Sequence, residues 1–344
     1  MSLTDTSANA GITARQGWAI AGFLALAVVL WLFLAVWPNG LVAFVGPKKT
    51  FVNAVFNGIT LAGLYFLVAS GFTLVFGLMR NVNLAHGSLY LLGAYIGFSA
   101  ANWTGYWLIG VAAGMLSMAA AGVLLQYFVF RRLEGDDLRQ TLVTIGISII
   151  AADLMLAIWG GKTYQFSTPE WLDGAVATPI ITAVKSNGDV VFMNYPYYRL
   201  LVFVAAVVIG IGLWLLLNKT QMGVMIRAGV DDRAMLAASG VNVQMLFAAV
   251  FAVGAGLAGF AGVVGGSVLS IAPGEDVRYL LASLVVVIVG GMGSVTGAAI
   301  GALIIGLAEQ IGLAYFPTYG VVLTFVIMVF VLAIRPQGIM GKDR

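Results

Sequence analysis

The chain has 344 residues, of which 61% are apolar and 9% charged, with a net charge of +3, one His and no Cys. Soluble domains carry roughly a quarter charged residues, so this composition excludes a water-facing globule and predicts an integral membrane protein. Without Cys there is no disulfide or thiolate metal site, one His cannot build a His-rich metal or haem site, and the basic residues are scattered rather than gathered into a nucleic-acid patch.

In chain order, residues 1–17 form a polar tail and 18–37 are an apolar run of 20 residues. That run is long enough to span the bilayer and lacks a small-x-small cleavage site, so it is expected to be an uncleaved first helix. Further apolar runs lie at 51–76, 84–101, 106–130, 141–159, 200–217, 244–270, 279–289, 295–313 and 319–334. They are continuous rather than alternating, which excludes a lipid-facing barrel and predicts an all-α polytopic helical bundle of about ten segments (eight to ten). The 279–289 run is short and ends in Gly290-Gly291-Met292-Gly293, the pattern of a re-entrant or broken helix. With the N-terminus inside, ten crossings put 11 basic residues in the cytoplasm against 6 outside. The positive-inside rule then places both termini, including the 335–344 tail, in the cytoplasm. The membrane region is 18–334, with an extracytoplasmic loop at 160–198 and a cytoplasmic loop at 218–243.

No stretch matches the nucleotide-binding G-x-x-x-x-G-K-[ST] loop and no H-E-x-x-H metal spacing exists, so neither catalysis, a bound cofactor nor a metal site is expected of this chain. Ionisable residues within the runs are few: Asp153 and Glu309, with His86 near a helix end. Asn83-Leu84-Ala85-His86-Gly87 is a polar turn between two apolar runs. His86 there has two readings, a proton switch or a group that satisfies backbone freed at a helix break. Asp153 is a functional candidate because charges within spans rarely face lipid. On a helical wheel Thr141, Thr144 and Ser148 share a face from which Asp153 falls away. Glu309, in the last turns of its span, is expected to reach the interface. The pairs Gly93 and Gly97, Gly110 and Gly114, Gly262 and Gly266, and Gly297 and Gly301 predict close helix packing.

The 220–240 segment differs. Asp231 or Asp232 can cap a two-turn helix at 233–239, and Gly240 suits its left-handed exit. Met235, Leu236 and Ala238 are expected to offer apolar surface, either to a partner groove or to the membrane.

Together with Gly71-Phe72-Thr73-Leu74-Val75-Phe76-Gly77, Gly93-Ala94-Tyr95, Gly290-Gly291-Met292-Gly293-Ser294 and Arg335-Pro336-Gln337-Gly338, these motifs resemble those of permease subunits of branched-chain amino-acid ABC importers, on the LivH-like side. The resemblance runs from about residue 51 to the end; the N-terminal extension and the 160–198 insertion depart from it. It implies a heterodimer with a second homologous permease and two cytoplasmic ATPase subunits that use ATP and Mg. It also implies a periplasmic binding protein docking on the 160–198 face, and location in the bacterial inner membrane. It further implies a coupling loop of Gly223, Arg227, Ala228, Asp231, Asp232, Met235, Leu236 and Gly240, with Arg131, Arg132 and Arg139 as a lesser contact. The substrate path is expected among Asn83, His86, Thr144, Ser148 and Asp153. The rival reading is a stand-alone secondary transporter or channel that couples ions through Asp153 and His86.

Overall fold

The computed structural model of the protein describes residues 48–79, 83–166, 169–184 and 190–341. The N-terminal tail, the expected helix at 18–37, Arg80 and the last three residues lie outside the described residues.

The apolar runs become nine helices among the described residues: α1 (Lys48–Met79), α2 (His86–Thr104), α3 (Trp107–Phe128), α4 (Asp137–Trp159), α5 (Tyr197–Lys219), α8 (Val243–Val268), α9 (Glu275–Gly290), α10 (Val295–Tyr315) and α11 (Gly320–Ile334). Two short helices, α6 (Gln221–Asp231) and α7 (Arg233–Ala238), lie between α5 and α8. Six of the helices, α1, α3, α4, α5, α8 and α10, are long and apolar enough to cross a membrane, against the ten segments expected. The sequence between α4 and α5 is not all helix: β1 (Ala175–Val184) pairs with β2 (Val190–Pro196). Val, Ile and Thr dominate β1, Val, Phe and Tyr supply most of β2, and Asn187-Gly188 between them is a hairpin signal.

The chain divides into two units. The first, 1–53 with 177–193, contains most of the paired strands, where the Thr178 hydroxyl donates to the Met193 carbonyl at 3.0 Å. The second, 54–176 with 194–344, is the helical bundle. Its core is a layer of α2, α3 and α8 packed on one another. Glycine makes this approach possible: a Cβ on Gly114 would lie 2.7 Å from the Gly93 carbonyl oxygen, and one on Gly97 2.8 Å from that of Gly110. From Leu61 to Phe72, α1 is buried along its length.

By contrast α4, α5 and α11 leave their apolar side chains outside, among them Ile150 and Leu154, Val204 and Val208, and Val329 and Phe330. Continuous apolar exteriors of this kind suit lipid or another membrane subunit, not water. One end of the bundle carries the turn between α3 and α4, together with α6 and α7. There Gly290-Gly291-Met292-Gly293 meets the C-terminal segment: Ile339 N–H donates to the Val289 carbonyl and Met340 N–H to the Gly290 carbonyl, both at 2.9 Å. The opposite end carries Trp159 and the antiparallel bridge between Tyr164 and Ile271.

Candidate functional site

Two helices start inside the bundle rather than at its ends. α2 begins beside the middle of α1, where the His86 Nε2–H donates to the Val68 carbonyl at 3.0 Å and the imidazole meets Phe72 edge-on at 5.5 Å. A carbonyl only accepts, so this contact fixes the tautomer. The preceding turn is tied down locally and by α4. Asn83 Oδ1 accepts from Ala85 N–H at 3.1 Å, and Thr144 Oγ1 accepts from Leu84 N–H at 3.2 Å. Asn83 Nδ2 is buried without a partner among the described residues.

α9 starts at the same level. Gly274, at φ 90°, turns the chain into it, and Glu275 and Asp276 occupy its first turn, where the helix dipole favours carboxylates. The two first turns touch: any side chain at Gly87 would overlap the Asp276 carbonyl and lie 2.8 Å from Leu280 Cβ. Ser88 joins the helices, with its Oγ 2.8 Å from Ser148 Oγ on α4 and 3.4 Å from Asp276 Oδ2.

A second polar group adjoins this junction. Tyr65, near the midpoint of α1, donates its hydroxyl to Glu309 Oε2 at 2.6 Å. Glu309 Oε1 lies 3.7 Å from Arg278, which also approaches Glu275 at 3.5 Å. Tyr279 stacks on Tyr90 at 4.2 Å and meets Tyr65 edge-on at 6.2 Å. Glu309 is 3% exposed, so the expectation that it reaches the interface is corrected; α1 and α9 enclose it and supply its partners. The Arg278 side chain is 46% exposed at this depth, and a guanidinium there faces water or another subunit rather than lipid.

The structure thus brings Asn83, His86, Thr144 and Ser148 together and leaves Asp153 apart. Asp153 lies on the exposed side of α4 among Ile149, Ile150, Leu154 and Leu156. Ser88, Tyr65, Asp276, Arg278 and Glu309 were missed as a group. Three charges among Glu275, Asp276 and Arg278 at the head of a short span were a usable signal; Tyr65 gave none.

At the α6–α7 end the caps are local. Thr220 Oγ1 accepts from Gly223 N–H at 3.2 Å, and Asp232 Oδ1 accepts from Met235 N–H at 3.0 Å. Gly223 is buried so close to the Leu216 and Leu217 carbonyls that a side chain would collide with them. Arg227 is exposed, and its guanidinium donates to the Leu217 carbonyl at the end of α5. Ala228 accepts from Asp232 N–H at 2.9 Å, Asp231 ends α6, and Gly240, at φ 87°, ends the segment. Met235 is 73% exposed, whereas Leu236 is 7% exposed. Leu236 therefore anchors α7 to the core and does not add to the exposed apolar surface, a correction to the expectation; Val224 and Met245 do add to it.

The family described as branched-chain amino acid transport system / permease component matches residues 54–332. Similar proteins include the high-affinity branched-chain amino acid transport system permease protein BraD of Pseudomonas aeruginosa, 29% identical over 85% of this chain and 96% of its own length. The LivH permease protein of Escherichia coli K12 is 28% identical over 85% of this chain and 96% of its own. The LivM permease protein of the same strain is 26% identical over 83% of this chain and 69% of its own. No solved structure matches the chain.

Proposed function

This chain belongs to the branched-chain amino acid transport permease family, and from that premise we propose that it forms the translocation path for branched-chain or related amino acids in an ATP-driven importer. The observation that carries the reading is the family match across 54–332, which takes in both the mid-bundle junction and the α6–α7 segment. It is a multi-pass membrane protein and, like its homologues, a permease rather than an enzyme.

Ten crossings follow if 18–37 spans the bilayer, with both termini in the cytoplasm of a bacterial inner membrane. The clustering of Arg131, Arg132, Arg139, Lys219, Arg227 and Arg233 around the α6–α7 end supports that end as cytoplasmic. Two cytoplasmic ATPase subunits then act on α6 and α7 through Arg227, Asp231, Asp232 and Met235, with ATP and Mg held by them. A periplasmic binding protein delivers substrate at the 160–198 face.

The path runs past Asn83, His86, Ser88, Thr144, Ser148 and Asp276. A zwitterionic amino acid needs groups that replace water at both of its charges. Two helix N-termini favour its carboxylate, and the Asp276 carboxylate favours its ammonium group. A second permease covers the exposed face of α4, because a carboxyl such as Asp153 is costly against lipid. The ion-coupled rival is not favoured: Asp153 and His86 occupy separate faces, and His86 is engaged by Val68.

Mass spectrometry of what copurifies with the tagged chain in mild detergent tests this. A second permease and two ATPase subunits are expected. A partner-free homo-oligomer whose uptake needs a proton gradient and no ATP would overturn it.

A further inference from the structure

We propose that Glu134 is a positioning residue that latches α7 to the bundle, so that force applied to α6 and α7 reaches the membrane helices through its carboxylate. The inference rests on the reading of α6–α7 as the ATPase contact. Three segments meet at this one side chain. It belongs to the turn between α3 and α4; its Oε1 lies 3.5 Å from Arg233 Nη1 on α7, and its Oε2 accepts from Gln244 Nε2 at 2.8 Å on the first turn of α8. Arg233 also lies over the Phe247 ring at 4.9 Å, so one guanidinium bridges the carboxylate and the α8 surface.

The turn that presents Glu134 is stiff. Gln140 Nε2 donates to the Leu133 carbonyl at 2.7 Å, Asp136 Oδ1 caps Arg139 N–H at 3.0 Å, and the buried Phe130 packs on Phe251 of α8 at 4.7 Å. A carboxylate on a rigid mount passes displacement rather than absorbing it. Beneath the latch is a cavity of about 50 Å³ lined by Gln126, Gln140, Asp137 and Phe247 among others. Gln126, whose buried Oε1 has no partner among the described residues, is one of its lining residues. A cavity here leaves α7 room to shift. Both latch side chains are 37% exposed, and ion pairs of that kind contribute little to stability, so the contact can break and reform during a cycle.

The test uses the complete assembly in proteoliposomes, with uptake and ATP hydrolysis measured together. Glu134→Ala is expected to lower uptake per ATP by about fivefold or more, the size of a typical coupling effect, with hydrolysis and melting temperature unchanged. Glu134→Gln keeps the bond to Gln244 and is expected to fall between. Glu134→Arg is expected to be worst, and adding Arg233→Glu to it to restore most of the lost uptake. Normal uptake per ATP in Glu134→Ala, or no recovery in the charge exchange, overturns the latch. Failure of the wild-type chain to hold ATPase subunits at all would instead overturn the importer reading beneath it.

Discussion

The mid-bundle junction and the α6–α7 end are built in opposite ways. At the junction, the helices are tied by polar groups distant in sequence: Tyr65 to Glu309, Ser88 to Ser148 and Asp276, Leu84 to Thr144. At the α6–α7 end, the Glu134 latch apart, groups are held by near neighbours: Gly223 by Thr220, Met235 by Asp232, and the Leu217 carbonyl by Arg227. The difference teaches where damage spreads. A change at the junction breaks contacts between helices far apart in the chain, whereas a change in α6 or α7 leaves the bundle intact and removes only what that end transmits.

The sharpest break of this contrast is Gly87→Val. The new side chain would collide with α9 backbone that has no room to retreat, and overpacking of this kind costs about 3 kcal/mol. A clear fall in the detergent melting temperature and in folded yield is expected, and a stable Gly87→Val protein would show the junction to be looser than its geometry. Next, Glu309→Leu strips the acceptor from Tyr65 and a partner from Arg278; about 1–3 kcal/mol is expected for the group left unsatisfied, read in the same melting assay. Ser88→Ala removes one hydroxyl and should cost about 1 kcal/mol, with a matching loss of amino-acid uptake.

At the other end, Asp232→Ala removes an N-cap worth about 1 kcal/mol, but only to α7. Hydrogen exchange should quicken at 235–238 while the bundle melts as before; slowed folding of the whole chain would erase the contrast. The smallest effect on stability is expected from Arg227→Glu, whose side chain is exposed. Membrane insertion and melting should be unchanged while uptake is abolished, and normal uptake by this variant would remove Arg227 from the coupling surface.

How much of this was legible in the chain depends on how far each signal reaches. The 106–130 and 295–313 runs match α3 and α10 within a few residues, because an apolar run is a local property. Asp232 as a cap and Gly240 as an exit were legible for the same reason. The helix 221–231, opened by Thr220, falls in the expected cytoplasmic loop at 218–243 although its cap is equally local. The paired strands fall inside the expected extracytoplasmic loop at 160–198, because strands this short are no apolar run. Glu309 and Leu236 were misplaced for another reason: sequence position gives depth along a helix, but not which neighbour covers a face.

Composition and run length by themselves determined that this is a membrane-embedded helical protein, since 9% charged residues cannot coat a globule and apolar runs of such length have no other solvent. Its motifs, by resemblance, pointed to the permease family. Only the tertiary structure decided that α2 and α9 begin against each other inside the bundle, that Tyr65, Arg278 and Glu309 form one network, and that Asp153 stands outside it. Those facts depend on contacts between residues up to 244 positions apart, made where glycines let backbones approach closely, and no local pattern of side chains encodes which partners meet there.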